Sequence, residues 1–112
     1  MPAYIIKSEA TITRQEGDTS EIKFIIPNVF PLYGEVFELI FAVYSRSGTR
    51  QFIKTTLNGD FVIDAQTATT YLQVDNTKGI WGTYRWELQY RDAGSITTIG
   101  KGNFEILKEL IP

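Results

Sequence analysis

The sequence lacks two residue types on which much protein chemistry depends: it contains no cysteine and no histidine. Without cysteine there are no disulfides, no thiolate metal ligands and no thiol nucleophile. Without histidine the chain has neither the commonest general base at neutral pH, nor the commonest zinc ligand, nor any Ser-His-Asp arrangement. Because few catalytic mechanisms remain, we expect a protein that is not an enzyme and that uses no cofactor and no metal ion.

Long apolar runs and basic clusters are also missing from the 112 residues. No stretch approaches the roughly 18 apolar residues of a membrane span, and the segment from Met1 to Lys7 has no signal-peptide pattern. Lys and Arg number 11 against 13 Asp and Glu, and the two signs are interspersed. We expect a single domain over residues 1–112, with neither a membrane nor a nucleic acid as partner.

What the sequence does contain is alternation of apolar and polar residues. Between Thr83 and Arg91, the residues Tyr84, Trp86, Leu88 and Tyr90 share one face, and charged or amide residues share the other. This period of two is typical of a half-buried antiparallel strand. Further strands are predicted at residues 10–14, 20–26, 36–45, 51–56, 60–64, 69–75, 96–99 and 104–107.

Turn residues separate these strands. We expect hairpins at Gly17-Asp18, at Asn58-Gly59 and over Asp92 to Ser95, and a bulge at Gly100 to Gly102. The segment from Thr67 to Thr70 has a short helical turn as its alternative, and no convincing helix is present elsewhere. About seven to nine short strands in this arrangement predict an all-β, two-sheet antiparallel sandwich.

The aromatic residues have two interpretations. In the first they fill the core, and the predicted core residues are Phe24, Phe41, Tyr84, Trp86, Leu88 and Phe104. Tyr84, two residues after Gly82, also fits a tyrosine corner whose hydroxyl bonds to backbone near Asp75 to Lys78. In the second interpretation, Trp81, Tyr33 and Tyr71 form an exposed platform for a host-surface glycan or another ligand.

One strand is apolar on both faces. From Val36 to Tyr44, one face carries Phe37, Leu39, Phe41 and Val43, and the other carries Ile40, Ala42 and Tyr44. The second face needs cover, either from the loop between Pro27 and Gly34 or from another subunit. The candidate interface residues are Ile40, Ala42, Tyr44, Trp81, Leu110 and Ile111.

The order of these signals resembles a known family. The stretch from Arg14 to Phe24, with Gly17-Asp18-Thr19, resembles the opening of small phage and prophage immunoglobulin-like domains, as in the N-terminal region of baseplate upper proteins. Leu39, Phe41 and Val43 before a glycine turn resemble the next strand of that pattern. The closing hairpin fits approximately through Gly82, Tyr84, Leu88, Tyr90, Asp92, Gly102 and Ile106.

The resemblance implies an immunoglobulin-like domain with no catalytic residues to carry over. It implies a structural component of a tail, a baseplate or a head-to-tail connector that docks other virion proteins or a second copy of itself. The expected location is the virion, or the host cytoplasm before assembly. The stretch from Pro27 to Tyr33 departs from the family pattern as an insertion.

Overall fold

The computed structural model describes residues 3–5, 11–33 and 37–108, and over these ranges the regular structure is nine strands and one four-residue helix. Its elements are β1 (Ala3–Ile5), β2 (Ile12–Gln15), β3 (Ser20–Ile25), β4 (Phe37–Tyr44), β5 (Arg50–Thr55), β6 (Phe61–Asp64), β7 (Thr67–Leu72), α1 (Val74–Thr77), β8 (Gly82–Asp92) and β9 (Ser95–Leu107). The predicted all-β fold class is confirmed.

The strands form two sheets, a four-stranded sheet in the order β1-β3-β7-β6 and a five-stranded sheet in the order β2-β9-β8-β4-β5. This arrangement is an immunoglobulin-like β-sandwich, as predicted. Two pairings at the edges depart from the antiparallel expectation, because β1 runs parallel to β3 and β2 runs parallel to β9. Because β1 lies in the four-stranded sheet and β2 in the five-stranded sheet, the first two strands belong to different sheets.

Two of the three predicted hairpins do not form. The turns at Gly17 and at Gly59 are present, but each carries the chain from the five-stranded sheet to the four-stranded sheet. After Gly59, the turn closes through hydrogen bonds from Asp60 N to Thr55 O (3.0 Å) and from Thr55 N to Asp60 Oδ2 (2.9 Å). Turn chemistry predicted the reversal, whereas burial of each strand's apolar face decides which sheet the strand joins.

The long hairpin of β8 and β9 is the centre of the five-stranded sheet. Leu88 lies opposite Gly100 and Gln89 lies opposite Thr98, so Ile99 is an extra residue on β9. The predicted bulge beside Gly100 is confirmed. The alternative of a helical turn at 67–70 is wrong, because those residues begin β7 and pair with both of its neighbours.

The core lies between the two sheets and is built from aromatic rings. Phe24 on β3 packs against Phe41 on β4 and Trp86 on β8, with ring centroids 5.4 and 5.7 Å away. The predicted core residues that are fully buried are Phe24, Phe41, Trp86, Leu88 and Phe104. The indole of Trp86 therefore points inward, away from solvent.

Tyr84 departs from its predicted role. It is only half-buried at the margin of the core, and its hydroxyl makes no hydrogen bond to the backbone of residues 75–78. The tyrosine whose hydroxyl does bond to distant backbone is Tyr90, six residues further along β8. Both side chains alternate to the inner face, but only Tyr90 lies beneath a loop that offers it a carbonyl.

Candidate protein-docking site

The outer face of β4 is the surface that the sequence singled out. Leu39, Phe41 and Val43 face the core, so the alternate residues Ile40, Ala42 and Tyr44 face outward. Neighbouring strands place their own outward residues beside them. Ile40 lies between Thr55 and Gln89, and Ala42 lies between Ile53 and Glu87.

Ile40 and Ala42 are nevertheless almost inaccessible, with 9% and 3% of their surface exposed. They form the floor of a groove of about 410 Å³, and the longer side chains of β5 and β8 form its walls. Long polar side chains cover apolar surface with their aliphatic parts while keeping the charged group in water. Only Tyr44, which is half-buried at one end, presents a large apolar surface among the three predicted interface residues.

The loop from Pro27 to Tyr33 does not cover this face, contrary to the first explanation offered above. Its Leu32 enters the core between the sheets, and its Phe30 packs on the Tyr90 ring at a centroid distance of 5.3 Å. Because Tyr90 points inward, the loop closes one end of the inner core. The outer face of β4 is covered only by side chains of its own sheet within the described residues.

Charged residues frame the groove. Arg91 Nη1 lies 3.8 Å from Glu38 Oε1, and this ion pair separates the groove from a second depression of about 400 Å³. The second depression is lined by exposed Leu57 and Ile96 and by half-buried Phe37. The opposite end of the groove carries Arg50. The face is therefore a shallow apolar strip between residues of both charge signs.

Gln66 organises the neighbouring loop and was not found from the sequence. Its Nε2 lies within 3.1 to 3.2 Å of the carbonyl oxygens of Ile26, Pro27 and Phe30, and its Oε1 accepts a 3.1 Å hydrogen bond from Leu32 N. A glutamine in a two-residue turn gives no local signal of this role, because its four partners are 34 to 40 residues away.

The aromatic residues of the alternative platform do not share a surface. Trp81 is 57% exposed before the start of β8, where Lys108 Nζ lies 5.4 Å from its ring centroid. Tyr33 lies near Tyr90 at the other end of β8, roughly 30 Å away at about 3.3 Å per residue. Tyr71 is on the outer face of the other sheet. The structure does not bring the three rings together.

Two remaining interface candidates, Leu110 and Ile111, lie outside the described residues. Over the described ranges no group of three or more Asp and Glu side chains is arranged to hold a metal ion. No helix in the same part of the chain has the length and hydrophobicity to cross a membrane.

Two titratable groups on the inner face have shifted pKa values. Burial lowers the pKa of Lys54 on β5, and the nearby Asp60 carboxylate partly offsets this effect. Burial raises the pKa of Tyr90, and the negative charges of Asp92 and Tyr33 add to the shift. Neither group lies in the groove.

Comparisons with known proteins support the fold. No protein-family model matches the chain, and no curated protein sequence matches it. Among solved structures, it is similar to a suspected glycoside hydrolase from Bacteroides vulgatus, with a TM-score of 0.51, 15% identity, and coverage of 88% of this chain. The chain spans only 16% of that protein.

Two further similar structures have TM-scores below 0.5. CopC from Methylosinus trichosporium has a TM-score of 0.47 and 11% identity, with 92% of this chain and 87% of that chain covered. The extracellular fragment of novel immune-type receptor 11 from Ictalurus punctatus has a TM-score of 0.46 and 10% identity, with 95% and 89% covered. With TM-scores below 0.5, these two likenesses support no conclusion about fold or function.

Proposed function

We propose that this protein is a non-enzymatic structural module of a phage or prophage virion, which docks a second copy of itself through the groove on β4, β5 and β8. The observation that carries the docking role is β4, a central strand with apolar residues on both faces. The virion setting rests on the sequence resemblance to phage and prophage immunoglobulin-like domains.

Charge distribution along the groove favours a second copy as the occupant. Tyr44 lies between Arg50 and Arg85 at one end, and Glu38 lies six residues away on the same strand, about 20 Å along β4. A twofold axis perpendicular to the strands places Glu38 of one copy over the Arg85 end of the other. The face thus carries arginines at one end and the Glu38 carboxylate, 3.8 Å from Arg91, at the other, so a twofold arrangement brings unlike charges together.

The apolar contact in such a dimer comes from Tyr44 and Ile53, because Ile40 and Ala42 lie beneath neighbouring side chains. This refines the interface that the sequence predicts. Ile40 and Ala42 keep the floor of the groove apolar, whereas the half-buried Tyr44 supplies an anchor of the residue type that is enriched in interfaces.

The test is sedimentation velocity over a wide concentration range with the Tyr44→Glu variant. We expect concentration-dependent dimerisation of the wild type, and dimerisation that is about tenfold weaker or more in the variant, because a carboxylate replaces the anchor beside a second apolar surface. Tyr71→Glu, on the outer face of the other sheet, is the matched control and leaves dimerisation unchanged.

A charge exchange tests the orientation. Glu38→Arg and Arg85→Glu each weaken the dimer, and the double variant restores it, because the two positions face each other across the axis. A wild type that stays monomeric at all concentrations contradicts self-docking.

Tail or capsid genes on both sides of the gene support the virion setting, and their absence counts against it.

A further inference from the structure

Of the four edge strands of the sandwich, two are protected against pairing and a third, β6, is not. An edge strand presents a row of unpaired backbone N–H and C=O groups, which can pair with a strand of another chain. Proteins commonly prevent this pairing with a charged side chain that points inward, with proline or with lysine. The strands β2 and β5 form the two edges of the five-stranded sheet, and β6 forms one edge of the four-stranded sheet.

Both edges of the five-stranded sheet carry an inward-pointing basic residue. Arg14 on β2 is on the same face as the core residue Ile12 and is 9% exposed. Its Nη2 donates a 3.0 Å hydrogen bond to Glu21 O on the other sheet, and its Nε donates one to Ser20 Oγ at 3.0 Å. Lys54 on β5 is 8% exposed, on the inner face opposite Phe41. An added strand on either side would have to accommodate a buried cation.

The edge at β6 has no such protection. Its first three residues are Phe61, Val62 and Ile63, and its charged residue is Asp64 at the end next to the turn. Phe61 and Ile63 pack against the core but stay half-exposed, and Val62 on the outer side is 57% exposed. In an antiparallel pair with β7, alternate residues of β6 direct their N–H and C=O groups away from β7. No described strand pairs with that side.

We propose that the open edge of β6 accepts an extended segment of a different protein as an additional antiparallel strand. Backbone hydrogen bonds hold the segment, and alternate side chains determine its identity. Two apolar residues opposite Phe61 and Ile63 complete the inner face. In the bound segment, a β-branched residue lies opposite Val62, and a lysine or arginine lies opposite Asp64. Read from its N-terminus, the segment has the form basic, apolar, β-branched, apolar.

A basic segment fits this edge better than a second copy of the chain does. Consider two copies of β6 paired antiparallel, with Val62 of one opposite Val62 of the other. Asp60 of each copy then lies opposite Asp64 of its partner, which gives two pairs of opposed acidic residues. In a self-pair centred on Ile63, the carboxylate of Asp64 lies opposite Val62. Because directly opposed like charges destabilise strand pairing, the flanking acids select a basic partner over a copy of the chain.

This surface is independent of the groove proposed above for self-docking. The strand β6 belongs to the four-stranded sheet, whereas the groove lies on the outer face of β4, β5 and β8 in the other sheet. The two proposals can therefore fail separately.

The test uses a capped synthetic peptide containing Lys-Phe-Val-Ile between serine and threonine residues, titrated into the full-length protein and followed by isothermal calorimetry and amide hydrogen exchange. We expect saturable binding, with slowed exchange at alternate amides of β6. Val62→Lys places a cation on the outer side of the edge and weakens binding by about tenfold or more. Val29→Lys, at an exposed loop position, is the matched control and binds the peptide like the wild type.

A charge exchange makes the register specific. Asp64→Lys weakens binding of the lysine peptide, and a peptide with glutamate in place of the lysine recovers it. Absence of binding to the wild type overturns the proposal, as does binding that leaves β6 amides unprotected or that both β6 variants retain. Unchanged melting temperatures of the variants show that the loss of binding is not a loss of folding.

Discussion

The hydroxyl of Tyr90 donates a 2.6 Å hydrogen bond to the backbone carbonyl of Pro31, 59 residues earlier in the chain. The ring of Tyr90 also packs on Phe30, so one side chain of β8 holds the loop from Pro27 to Tyr33 by both its polar and its apolar parts. This contact makes the loop the closure of the inner core, and it leaves the outer face of β4 uncovered by any loop of the described chain.

Replacing Tyr90 with phenylalanine tests this closure. Tyr90→Phe keeps the ring contacts and removes the hydroxyl, so Pro31 O loses its donor in a partly buried position. We expect the free energy of unfolding to fall by about 1–2 kcal/mol, measured by urea denaturation. Tyr71→Phe is the control, because that ring is exposed on the other sheet and its loss of a hydroxyl should change stability little.

The same tyrosine gives a prediction for alkaline pH. Burial first, and then the charges of Asp92 and Tyr33, raise the pKa of Tyr90 in the folded state above the value near 10 of an unfolded tyrosine. The contribution of Tyr90 to folding stability is therefore complete below about pH 10, where its phenol is neutral in both the folded and the unfolded state. Above that pH the unfolded state ionises first, so stability falls until the pH passes the folded-state pKa.

Subtracting the Tyr90→Phe stability curve from the wild-type curve isolates this contribution. We expect a constant difference from neutral pH to about pH 9.5 and a smaller difference above pH 10. A difference that grows with pH above 10 contradicts the raised pKa.

Gln66 offers a sharper test of the loop, because its amide both donates and accepts. Gln66→Glu places a carboxylate against the carbonyl oxygens of Ile26 and Phe30, which need a donor, while the bond from Leu32 N stays possible. We expect a loss of about 3 kcal/mol at neutral pH, because buried acceptors then oppose a negative charge. Gln51→Glu, where the amide makes one exposed bond to Thr49 O, is the control and changes stability by less than about 0.5 kcal/mol.

Much of the fold was predictable because strand periodicity is a local property. The alternation around Trp86 identified β8 and its buried face, and Gly100 identified the bulge in β9. Strand pairing was less predictable. The turn residues at Gly17 and Gly59 are equally suited to a hairpin within one sheet and to a connection between two sheets. Which sheet a strand joins depends on the burial of faces formed by distant parts of the chain.

The candidate site was predictable only in outline. The pattern of β4 showed two apolar faces, and the outward direction of Ile40 and Ala42 followed from it. Their burial did not follow, because it depends on Glu87, Gln89 and Arg91 of a strand some fifty residues away in sequence. Similarly, no local pattern shows that Lys54 and Arg14 lie on inner faces at the two edges of one sheet.

The two tryptophans should respond very differently to truncation. Trp86 is enclosed between Phe24 and Phe41, so Trp86→Ala leaves a large cavity and should cost about 3–5 kcal/mol of stability. Trp81→Ala removes an exposed ring whose visible contact is with Lys108, and should cost less than about 1 kcal/mol. Guanidinium denaturation gives both values. A larger loss for Trp81 contradicts the assignment of the core.

Lys54 gives a prediction in which the more stable variant is also the one more prone to association. Burial lowers its pKa, so at neutral pH the folded state bears a cost for keeping the ammonium charged, and this cost is relieved as pH rises through the folded-state pKa. Lys54→Met keeps the aliphatic chain and removes the charge. We expect the free energy of unfolding at pH 7 to rise, because the variant has no ammonium group to desolvate.

The same substitution removes the inward-pointing cation from the edge strand β5 and therefore exposes that edge to pairing. We expect Lys54→Met to form higher oligomers or aggregates at concentrations where the wild type does not, as measured by light scattering. Lys23→Met is the matched control, because Lys23 is exposed on β3, a strand with partners on both sides. A variant at position 54 that is both less stable and no more prone to association would show that the buried ammonium stabilises the fold and does not protect its edge.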